Sequence, residues 1–429
     1  MRWDGYGQLK PEGPSDWYNT PTERFAKRCP FSPAATNEDT IALARFPAAP
    51  GRDRSLGSFE QSFVGHVAED EYRANGSSGG LVTWVAAELM RTGRVDAVAH
   101  VVPATDPAPG GPFFGFRISN SPDEVRQGSK SRYFPVELSE VIRHIRQTPG
   151  RHAIIGVPCF IKAVHLARAE DPVIAERVTH LLGLFCGHMK SARLVESFAW
   201  QTHAPIEAVK AVDYRIKDAN RPANWYRAHL TLRDGNTASQ DWWHLADGDW
   251  GAGFFQNRAC DFCDDVVAET ADIAFGDAWV EPYSSDGRGT NVVIARSAEM
   301  RALLDAARAE DRLDLNPVDA DFVVQTQAAG LRHRREGLAY RLTWWRTGIT
   351  PVKRVAPNAQ GITARRKLVY RWRWMIGRNS HRVFALARAL KRPAIYTRWA
   401  SAVLAFYRAL AWSHGRLGGW MDRIERRGH

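Results

Sequence analysis

Four of the five cysteines of this chain lie next to segments that the sequence predicts to be buried strands. Cys159 comes directly after AIIGVP, and Cys186 comes directly after LLGLF. Cys260 and Cys263 form a C-x-x-C pair shortly before ADIAFGDAW. Open α/β sheets bind ligands at the carboxyl ends of their parallel strands. The four thiols are therefore predicted to converge on one edge of a sheet.

Four converging thiols can hold a metal. A structural zinc ion and an iron–sulfur cluster both take four thiolate ligands, whereas the two strand-end cysteines can also be small buried hydrophobic residues. The spacing alone leaves a cluster, a zinc ion and the absence of a metal all open. Cys29, in RFAKRCPFSP, has no cysteine neighbour and is predicted not to be a ligand.

A second candidate site is the stretch NGSSGG, residues 75–80, which leads directly into LVTWVAAELMRTG. The apolar residues of that segment recur with helical spacing, so it is predicted to be a helix that ends at Gly93. One interpretation is a serine N-cap with glycines for turn geometry. The other is a phosphate-binding loop, because glycines let backbone amides approach an anion at a helix N-terminus.

The elements that position these residues alternate between short apolar strands and helical segments, which favours crossover units and a partly parallel sheet. Residues 160–178 are predicted to form one helix, and AHLTLRDGNTASQDWW an antiparallel hairpin with a DGN turn. The predicted fold class is α/β, with a mixed, partly parallel sheet flanked by helices. Four parts are predicted: an irregular N-terminal arm (1–65), a first α/β part (66–150), a second α/β part with the cysteines (151–330) and a basic helical extension (331–429).

Composition is ordinary for a soluble globular protein, with 44% hydrophobic and 24% charged residues. The N-terminal MRWDGYGQLKPEG lacks the apolar core of a signal peptide, and no apolar run approaches the length of a membrane span. We therefore expect a cytoplasmic protein, with peripheral attachment to the inner membrane surface left open. Disulfides are not expected in that compartment.

The charge is unevenly distributed. Residues 331–429 contain 23 Lys or Arg and 3 Asp or Glu, a net charge of +20; since the whole chain carries +11, the first 330 residues carry −9. In the segment 396–410, Tyr396, Val403 and Leu410 share one predicted helix face, and Arg398 and Arg408 lie off it. Three roles stay open: binding an anionic membrane surface, packing on the protein itself or an acidic partner, and binding nucleic acid, for which no groove-reading motif is present.

Six motifs in order give the chain a resemblance to a known family. They are NGSSGGLVTWVAAELMRTGRVDAV, GSKSRYFPV, IIGVPCFIKAV, LLGLFCGH, CDFCDDVVAETADIAFGDAW and GRGTNVVIARS. In these motifs the sequence resembles the beta-subunit family of coenzyme F420 hydrogenases and dehydrogenases, whose relatives include 7-hydroxymethyl chlorophyll a reductase. The resemblance covers roughly residues 66–300.

This resemblance implies a flavoprotein in which FAD lies near one 4Fe–4S cluster, so that 66–150 is the flavin-binding part. It implies that the cluster ligands are Cys159, Cys186, Cys260 and Cys263, and that NGSSGG binds the FAD pyrophosphate. The implied flavin contacts are Ser77, Ser78, Gly79, Gly80, Thr83, Ser129 and Lys130.

The resemblance also implies roles for residues near the two candidate sites, and each role has an alternative. Lys130 either stabilises the anionic reduced flavin, as a catalytic residue, or is a solvated loop lysine. His188 either contacts a cluster sulfur or relays a proton, or it is structural. Asp277 and Trp279 either line the cofactor edge or serve as a turn cap and a core residue. Where the family commonly has Gln after the first cysteine, this chain has Phe160, which changes the polar contacts on the substrate side.

The implied function is a flavin- and iron–sulfur-dependent oxidoreductase that passes electrons between a hydride carrier or substrate at FAD and a one-electron carrier. Coenzyme F420 or NAD(P)H is the candidate hydride carrier. Some relatives carry an N-terminal ferredoxin-like segment, of which this chain has only Cys29-Pro30, so a separate ferredoxin-like protein or partner subunit is expected. The alternative is a non-redox scaffold, with zinc or no metal, acting as a membrane-associated adaptor beside polysaccharide enzymes.

Overall fold

An eight-stranded mixed sheet forms the centre of the structure, a computed structural model that describes residues 1–14, 16, 19, 22–344 and 353–427. Its strands, in order across the sheet, are β15 (Leu313–Val318), β5 (Gln61–Val67), β14 (Asn291–Ala295), β13 (Ile273–Asp277), β9 (Val178–Leu184), β8 (His152–Gly156), β6 (Ala97–Pro103) and β7 (Phe114–Ser119). The neighbours β13, β9, β8 and β6 are parallel, and the remaining pairs are antiparallel. The predicted mixed α/β class is confirmed.

Three smaller sheets accompany it. They are formed by β1 (Arg2–Trp3) with β2 (Leu9–Lys10), by β3 (Gly51–Asp53) with β4 (Gly57–Phe59), and by β10 (Val209–Ile216), β11 (Arg227–Leu232) and β12 (Thr237–Asp241). The β11–β12 hairpin turns at the predicted DGN, where Gly235 has a φ of +88° that favours glycine. That prediction is confirmed.

Helices cover the sheet and form the C-terminal extension. In the first half they are α1 (Glu23–Arg28), α2 (Glu38–Arg45), α3 (Tyr72–Asn75), α4 (Leu81–Arg91), α5 (Pro122–Gln127), α6 (Ser139–Gln147), α7 (Pro158–Arg168), α8 (Pro172–Arg177) and α9 (Arg193–Gln201). In the second half they are α10 (Ala298–Ala309), α11 (Ala320–Thr326), α12 (Ala328–Arg334), α13 (Glu336–Leu342), α14 (Ala364–Ala389), α15 (Pro393–Trp412) and α16 (Gly415–Arg427). No helix in these described ranges is long and apolar enough to cross a bilayer.

The helix predicted over residues 160–178 is wrong as a single element. The structure has α7 and α8 there, and the last residue, Val178, already belongs to β9. The Asp171 carboxylate accepts hydrogen bonds from the amides of Val173 and Ile174, at 3.1 and 3.4 Å, and so caps α8. Pro172 occupies the first turn of the new helix, a position that suits its missing N–H.

The apolar faces of the helices explain their placement. On α4, Leu81, Trp84, Val85 and Leu89 are buried against the central sheet, as their helical spacing predicts. On α15, the predicted apolar face is buried within the molecule, and the Tyr396 ring stacks on Phe255 at 5.4 Å. The extension therefore uses this face to pack on the protein itself, which is one of the three alternatives for the basic tail.

The first ten residues are held between the body and the extension. The amide of Ala192 donates to the carbonyl of Gly7 at 2.9 Å, and the Ser191 hydroxyl donates to the carbonyl of Tyr6 at 2.5 Å. The Gln8 side-chain amide lies 3.4 Å from Nε2 of His381 on α14. Residues at opposite ends of the chain are thus packed side by side.

Candidate cysteine and flavin sites

Neighbouring strands position the four cysteines as predicted. Cys159 lies in the first turn of α7, directly after β8, and Cys186 follows the end of β9. Cys260 and Cys263 lie in and directly after a short 3₁₀ helix, Arg258–Phe262, ahead of β13. Because β8 and β9 are adjacent and parallel, Cys159 and Cys186 lie at one edge of the sheet. The C-x-x-C segment precedes β13, and the hydrogen bond from the Met189 amide to Sγ of Cys260 holds it at the same edge.

The thiols lie close enough to influence each other. Burial raises the pKa of Cys159 well above its usual range, and the neighbouring Cys263, Cys186 and Cys260 raise it further. Burial likewise raises the pKa of Cys263 to about 11. All five cysteines are free thiols. In the absence of a counter-charge, four buried thiols at one point favour the protonated form, so a group that binds them as thiolates must bring positive charge.

The surroundings of the sulfur atoms are set by the backbone. In the described ranges, no group of three or more His, Cys, Asp or Glu side chains is arranged to hold a metal ion. Backbone contacts instead hold two of the sulfur atoms: the amide of Met189 donates to Sγ of Cys260 at 3.3 Å, and Sγ of Cys263 donates to the carbonyl of Asp265 at 3.3 Å.

A buried arginine from α12 spans the cysteine loops. Nη1 of Arg334 donates to the carbonyls of Cys260, at 2.5 Å, and Cys263, at 3.5 Å, and Nη2 donates to the carbonyl of Gly187. Burial lowers the pKa of Arg334, but interaction with the four cysteines outweighs it, so the pKa lies above the usual range. Arg334 thus fixes both loops and places a positive charge beside the thiols.

Two further arginines of the extension contact the same loops. Nε of Arg341 donates to the carbonyl of Asp261 at 3.1 Å. Nη2 of Arg373 lies 3.4 Å from Nδ1 of His188 and 3.3 Å from the Gln256 side-chain oxygen. Sequence reasoning missed all three arginines. The available signal was the alternation of arginines with apolar residues in LRHRREGLAYRL, which contains Arg334 and Arg341, and in YRWRWMIGR, which contains Arg373; such alternation is typical of helices packed on a protein.

One ring nitrogen of His188 has no hydrogen-bond partner among the described residues. The side chain is 3% exposed, and the ring stacks on Trp250 at 4.5 Å. Burial, and then the charges of Lys190, Arg373 and Arg334, hold the pKa of His188 well below its usual value, so the ring is neutral. Nε2 is buried without a hydrogen-bond partner among the described residues. Because buried polar groups are nearly always bonded, this atom fits a group bound at the cysteines.

A row of rings connects the cysteine region to the loop that follows Ser129. Trp250 lies 4.6 Å from Tyr133 and 4.5 Å from His188, measured between ring centroids. The Lys190 ammonium lies 4.7 Å from the centroid of the Trp250 ring and donates to the carbonyl of Phe254 at 2.7 Å. Burial lowers the pKa of Lys190 to about 7. The two candidate sites are therefore joined by packed aromatic side chains.

The two loops predicted to bind a flavin contact each other. The Ser77 hydroxyl accepts a hydrogen bond from the amide of Ser131 at 2.8 Å, and the Ser129 hydroxyl donates to the carbonyl of Asn75 at 3.2 Å. Ser78 faces another way, because its hydroxyl donates to the carbonyl of Thr290 at 2.8 Å.

Packing accounts for the glycines of NGSSGG. Gly80 has a φ of +87°, and a Cβ there would lie 2.5 Å from the carbonyl oxygen of Tyr72. A Cβ on Gly79 would lie 2.8 Å from the carbonyl oxygen of Gly65. The amide of Leu81, at the start of α4, already donates to the Asn291 side chain at 3.2 Å. The glycines therefore serve turn geometry, but the predicted serine N-cap is wrong, because the N-cap residue of α4 is Gly80 and no side chain of the loop caps the helix. Pyrophosphate binding by the loop stays a prediction.

A small pocket beside this loop contains the other predicted flavin residues. It has a volume of about 140 Å³ and is lined by Thr83, Ser129, Arg126, Asn75, Tyr72, Asp70 and Glu71. Ligand pockets for drug-sized molecules are usually about 300–1,000 Å³. Its hydroxyl groups suit a phosphate group, and so does the Arg126 guanidinium, although this guanidinium also pairs with Asp70 at 3.2 Å. The Asp70 and Glu71 carboxylates in the lining oppose an anion, and the volume does not enclose a whole FAD.

Lys130 and Asp277 are both ion-paired. The Lys130 ammonium contacts Asp213, so it is not a solvated loop lysine. The Asp277 carboxylate accepts from both Nη atoms of Arg215, at 3.0 and 3.3 Å, and this guanidinium lies 5.6 Å from the Trp279 ring centroid. Phe160 packs edge-on against Phe116, at 6.0 Å between centroids.

Family models match the chain across this whole region. Residues 62–143 match the coenzyme F420 hydrogenase/dehydrogenase beta subunit N-terminal model, and residues 150–321 match the C-terminal model. Together they span more than half of the chain. The chain belongs to the coenzyme F420 hydrogenase/dehydrogenase beta-subunit family. This is a family of oxidoreductase subunits, and the extension that carries Arg334 lies beyond the matched range.

A solved structure shares the fold of this family member. A chain of the F420-reducing [NiFe] hydrogenase complex from Methanosarcina barkeri superposes with a TM-score of 0.51 at 17% identity, covering 68% of this chain and 94% of that one. At that identity the likeness shows the fold alone. No curated protein matches the sequence.

Proposed function

We propose that this protein passes electrons between a hydride carrier or substrate at a bound FAD and a one-electron carrier, through one 4Fe–4S cluster held by Cys159, Cys186, Cys260 and Cys263. The overall exchange balances when the hydride donor loses two electrons and a proton is released, while two electrons leave one at a time. A flavin accepts electrons in pairs and an iron–sulfur cluster moves them singly, which is the chemistry these groups supply.

The observation that carries the proposal is a set of buried polar groups around the four thiols that are available to a bound group. Nε2 of His188 is buried without a partner in the described part of the chain, and Arg334 places a buried positive charge beside the sulfur atoms. Four mutually close thiols match the four thiolate ligands of a 4Fe–4S cluster.

The residues of the chain have distinct tasks in this proposal. Arg334 holds the loops of Cys186, Cys260 and Cys263 in one arrangement through their carbonyl groups. His188, held neutral, offers Nε2 as a hydrogen-bond donor to a sulfur atom, because its Nδ1 faces the Arg373 guanidinium. The stacked rings of His188, Trp250 and Tyr133 exclude water from the space between the two candidate sites.

On the flavin side, the pocket beside Thr83 supports a narrower assignment. Thr83, Ser129 and Arg126 would hold a phosphate of FAD. The Lys130 ammonium would lie near the flavin as an ion pair with Asp213, which offsets its positive charge. Coenzyme F420 and NAD(P)H remain the candidate hydride carriers. The roles of Ser77, Ser78, Gly79, Gly80 and Asp277 in binding FAD remain predictions.

The test is anaerobic purification of the full chain, followed by measurement of iron, sulfide, zinc and flavin per chain and by an absorption spectrum before and after reduction. We expect about four irons, one FAD and absorbance that bleaches on reduction. Cys260→Ser is expected to lose the iron, whereas Cys29→Ser is the matched control because Cys29 lies outside the site. One zinc per chain, or iron that survives Cys260→Ser, contradicts the proposal.

A further inference from the structure

One face of α14 carries four cations in a row. Lys367, Arg371, Arg378 and Arg382 are spaced by four, seven and four residues, so they lie on the same side of the helix, with Trp374 between the two middle ones. We refer to these four residues as the basic stripe. The helix contains no Asp or Glu to offset them.

The stripe cations have no acidic partner among the described residues, in contrast to Arg365 and Arg388 of the same helix. Arg388 pairs with Glu196 at 2.8 Å, and Arg365 pairs with Asp422. On the stripe, Nε of Arg371 donates to the Tyr340 hydroxyl at 2.7 Å, and Arg378 lies 5.3 Å from the centroid of the Trp374 ring. These contacts orient the guanidinium groups but leave their charges uncompensated.

The stripe lies beside the cysteine loop. Gly377 approaches the backbone of residue 253, because a Cβ on Gly377 would lie 3.3 Å from the carbonyl oxygen of Gly253. Arg258, which is exposed and lies two residues before Cys260, adds another cation there. A notch of only about 10 Å³ lies between Arg258, Asp261, Arg373, Trp374 and Arg378. This notch is too small for a small-molecule ligand, since about 10–15 Å³ accommodates one water.

Uncompensated positive charge on a surface draws in a negatively charged partner and speeds encounter. Among the described residues, the exposed large apolar side chains of the extension are Leu368 and Leu386 near the two ends of the stripe, Leu390, and Trp412, Leu417 and Trp420 around the α15–α16 turn; none lies between Arg371 and Arg382. A membrane-binding surface combines basic and large apolar residues, so the stripe suits an acidic protein better than a lipid surface.

We propose that the basic stripe and Arg258 form the docking surface for an acidic one-electron carrier protein that exchanges electrons with the cysteine site. This inference rests on the proposed function, because it assigns the carrier's position next to the proposed cluster. It also gives the extension beyond the matched family range a task other than packing.

The experiment uses the full chain, purified anaerobically, and an acidic two-cluster bacterial ferredoxin as the probe. The variant Arg371→Gln/Arg378→Gln/Arg382→Gln removes three stripe charges. The matched control Lys391→Gln/Arg392→Gln/Arg398→Gln removes three exposed charges from the α14–α15 turn and α15. We expect the stripe variant to weaken ferredoxin binding and slow reduction by ferredoxin by about tenfold at low salt, and the control to change neither by more than about twofold.

Two measurements separate this inference from the proposed function. Dithionite reduction should be equal in all three proteins, and its failure in the wild type overturns the proposed function, whereas ferredoxin binding is measured without any electron transfer. Equal losses in both variants, or no loss in the stripe variant, overturn the docking surface. Loss of binding to phosphatidylglycerol vesicles in the stripe variant, with ferredoxin binding intact, assigns the surface to a membrane instead.

Discussion

The cysteine site and the NGSSGG loop differ in whether their polar groups have hydrogen-bond partners among the described residues. At the cysteines, a ring nitrogen of His188 is buried without a partner in the described ranges. Arg334 and Arg341 donate to backbone carbonyls of the cysteine loops there, and Arg373 contacts the other ring nitrogen of His188. At the loop, the hydroxyls of Ser77 and Ser78 already have partners. A buried nitrogen without a hydrogen-bond partner favours a bound group at the cysteine site. Small residues and glycines at the start of a helix do not by themselves favour a ligand.

Charge follows the same division. Arg334 brings positive charge to the thiols without an acidic partner among the described residues, while the Lys130 ammonium near the loop is neutralised by Asp213. The charge of Arg334 thus favours the thiolate form of the cysteines, whereas on the loop side the small pocket beside Thr83 is the proposed place for a ligand.

The largest expected effect is at Arg334. Arg334→Met leaves three carbonyl groups of the cysteine loops without their donor, so the free energy of unfolding should fall by about 3–5 kcal/mol. Urea unfolding under reducing conditions measures this, and iron per chain should fall as well. Arg382→Met, an exposed position on α14, is the control and should cost at most about 0.5 kcal/mol. Similar costs for the two variants would contradict the role given to Arg334.

Lys190 predicts a pH dependence on the cysteine side. Its pKa is about 7 in the folded protein because of burial, against about 10.4 in an unfolded chain. Between these values the unfolded state binds more protons, so stability rises with pH; below the lower value both states are protonated and the contribution is constant.

The variant Lys190→Met removes this contribution. The free energy of unfolding of the wild type, minus that of the variant, should rise by about 2 kcal/mol between about pH 7 and pH 9. Chemical denaturation at several pH values measures the difference. Parallel pH profiles for the two proteins would show that Lys190 is not buried as a neutral amine.

Gly80 tests whether the loop glycines serve packing. Gly80→Ala places a Cβ 2.5 Å from a carbonyl oxygen at a positive φ, whereas Gly93→Ala has a similar φ, +63°, and open space. Both should lose about 1 kcal/mol from backbone strain, and Gly80→Ala should lose at least about 1 kcal/mol more from the clash. Thermal and urea unfolding of the apoprotein decide, and equal losses would argue that the loop is not tightly packed.

The smallest effects compare Thr83 with Ser77. If the pocket binds a phosphate of FAD, Thr83→Ala should raise the FAD dissociation constant by about 2–10-fold through one lost hydrogen bond. Ser77→Ala should instead lower stability by about 1 kcal/mol, because the amide of Ser131 loses its acceptor. Fluorescence titration with FAD and urea unfolding measure the two. A larger loss of FAD affinity in Ser77→Ala would restore the pyrophosphate assignment to the loop.

Local pattern predicted the strands that end at cysteines, because those strands are short, apolar and parallel. It did not predict which residues complete the sites. Leu81 finds its acceptor in Asn291, 210 residues away, and Arg334 reaches Gly187 across 147 residues. The sequence near one residue of such a pair does not indicate which distant residue is its partner. The break at Asp171-Pro172 did have one, since Asp followed by Pro is a typical helix start.

The basic tail shows a different limit. Its composition favoured a surface role, yet Tyr396, Val403 and Leu410 are buried and Arg334 is 2% exposed. Composition reports the average of a segment, while burial is decided residue by residue through contacts with Phe255 and the cysteine loops. The basic stripe on α14 is the part of the tail for which we still propose a surface role.

The placement of α12 and α14 over the cysteines also sets an order of events during synthesis. A chain emerges from the ribosome N-terminus first and its parts fold as they appear. All four cysteines are therefore made before Arg334, Arg341 and Arg373 exist to cover them, and Gln8 must wait longest, since His381 follows it by 373 residues. Until α12 and α14 have been synthesised, the four thiols lack the arginine side chains that contact their loops in the folded protein.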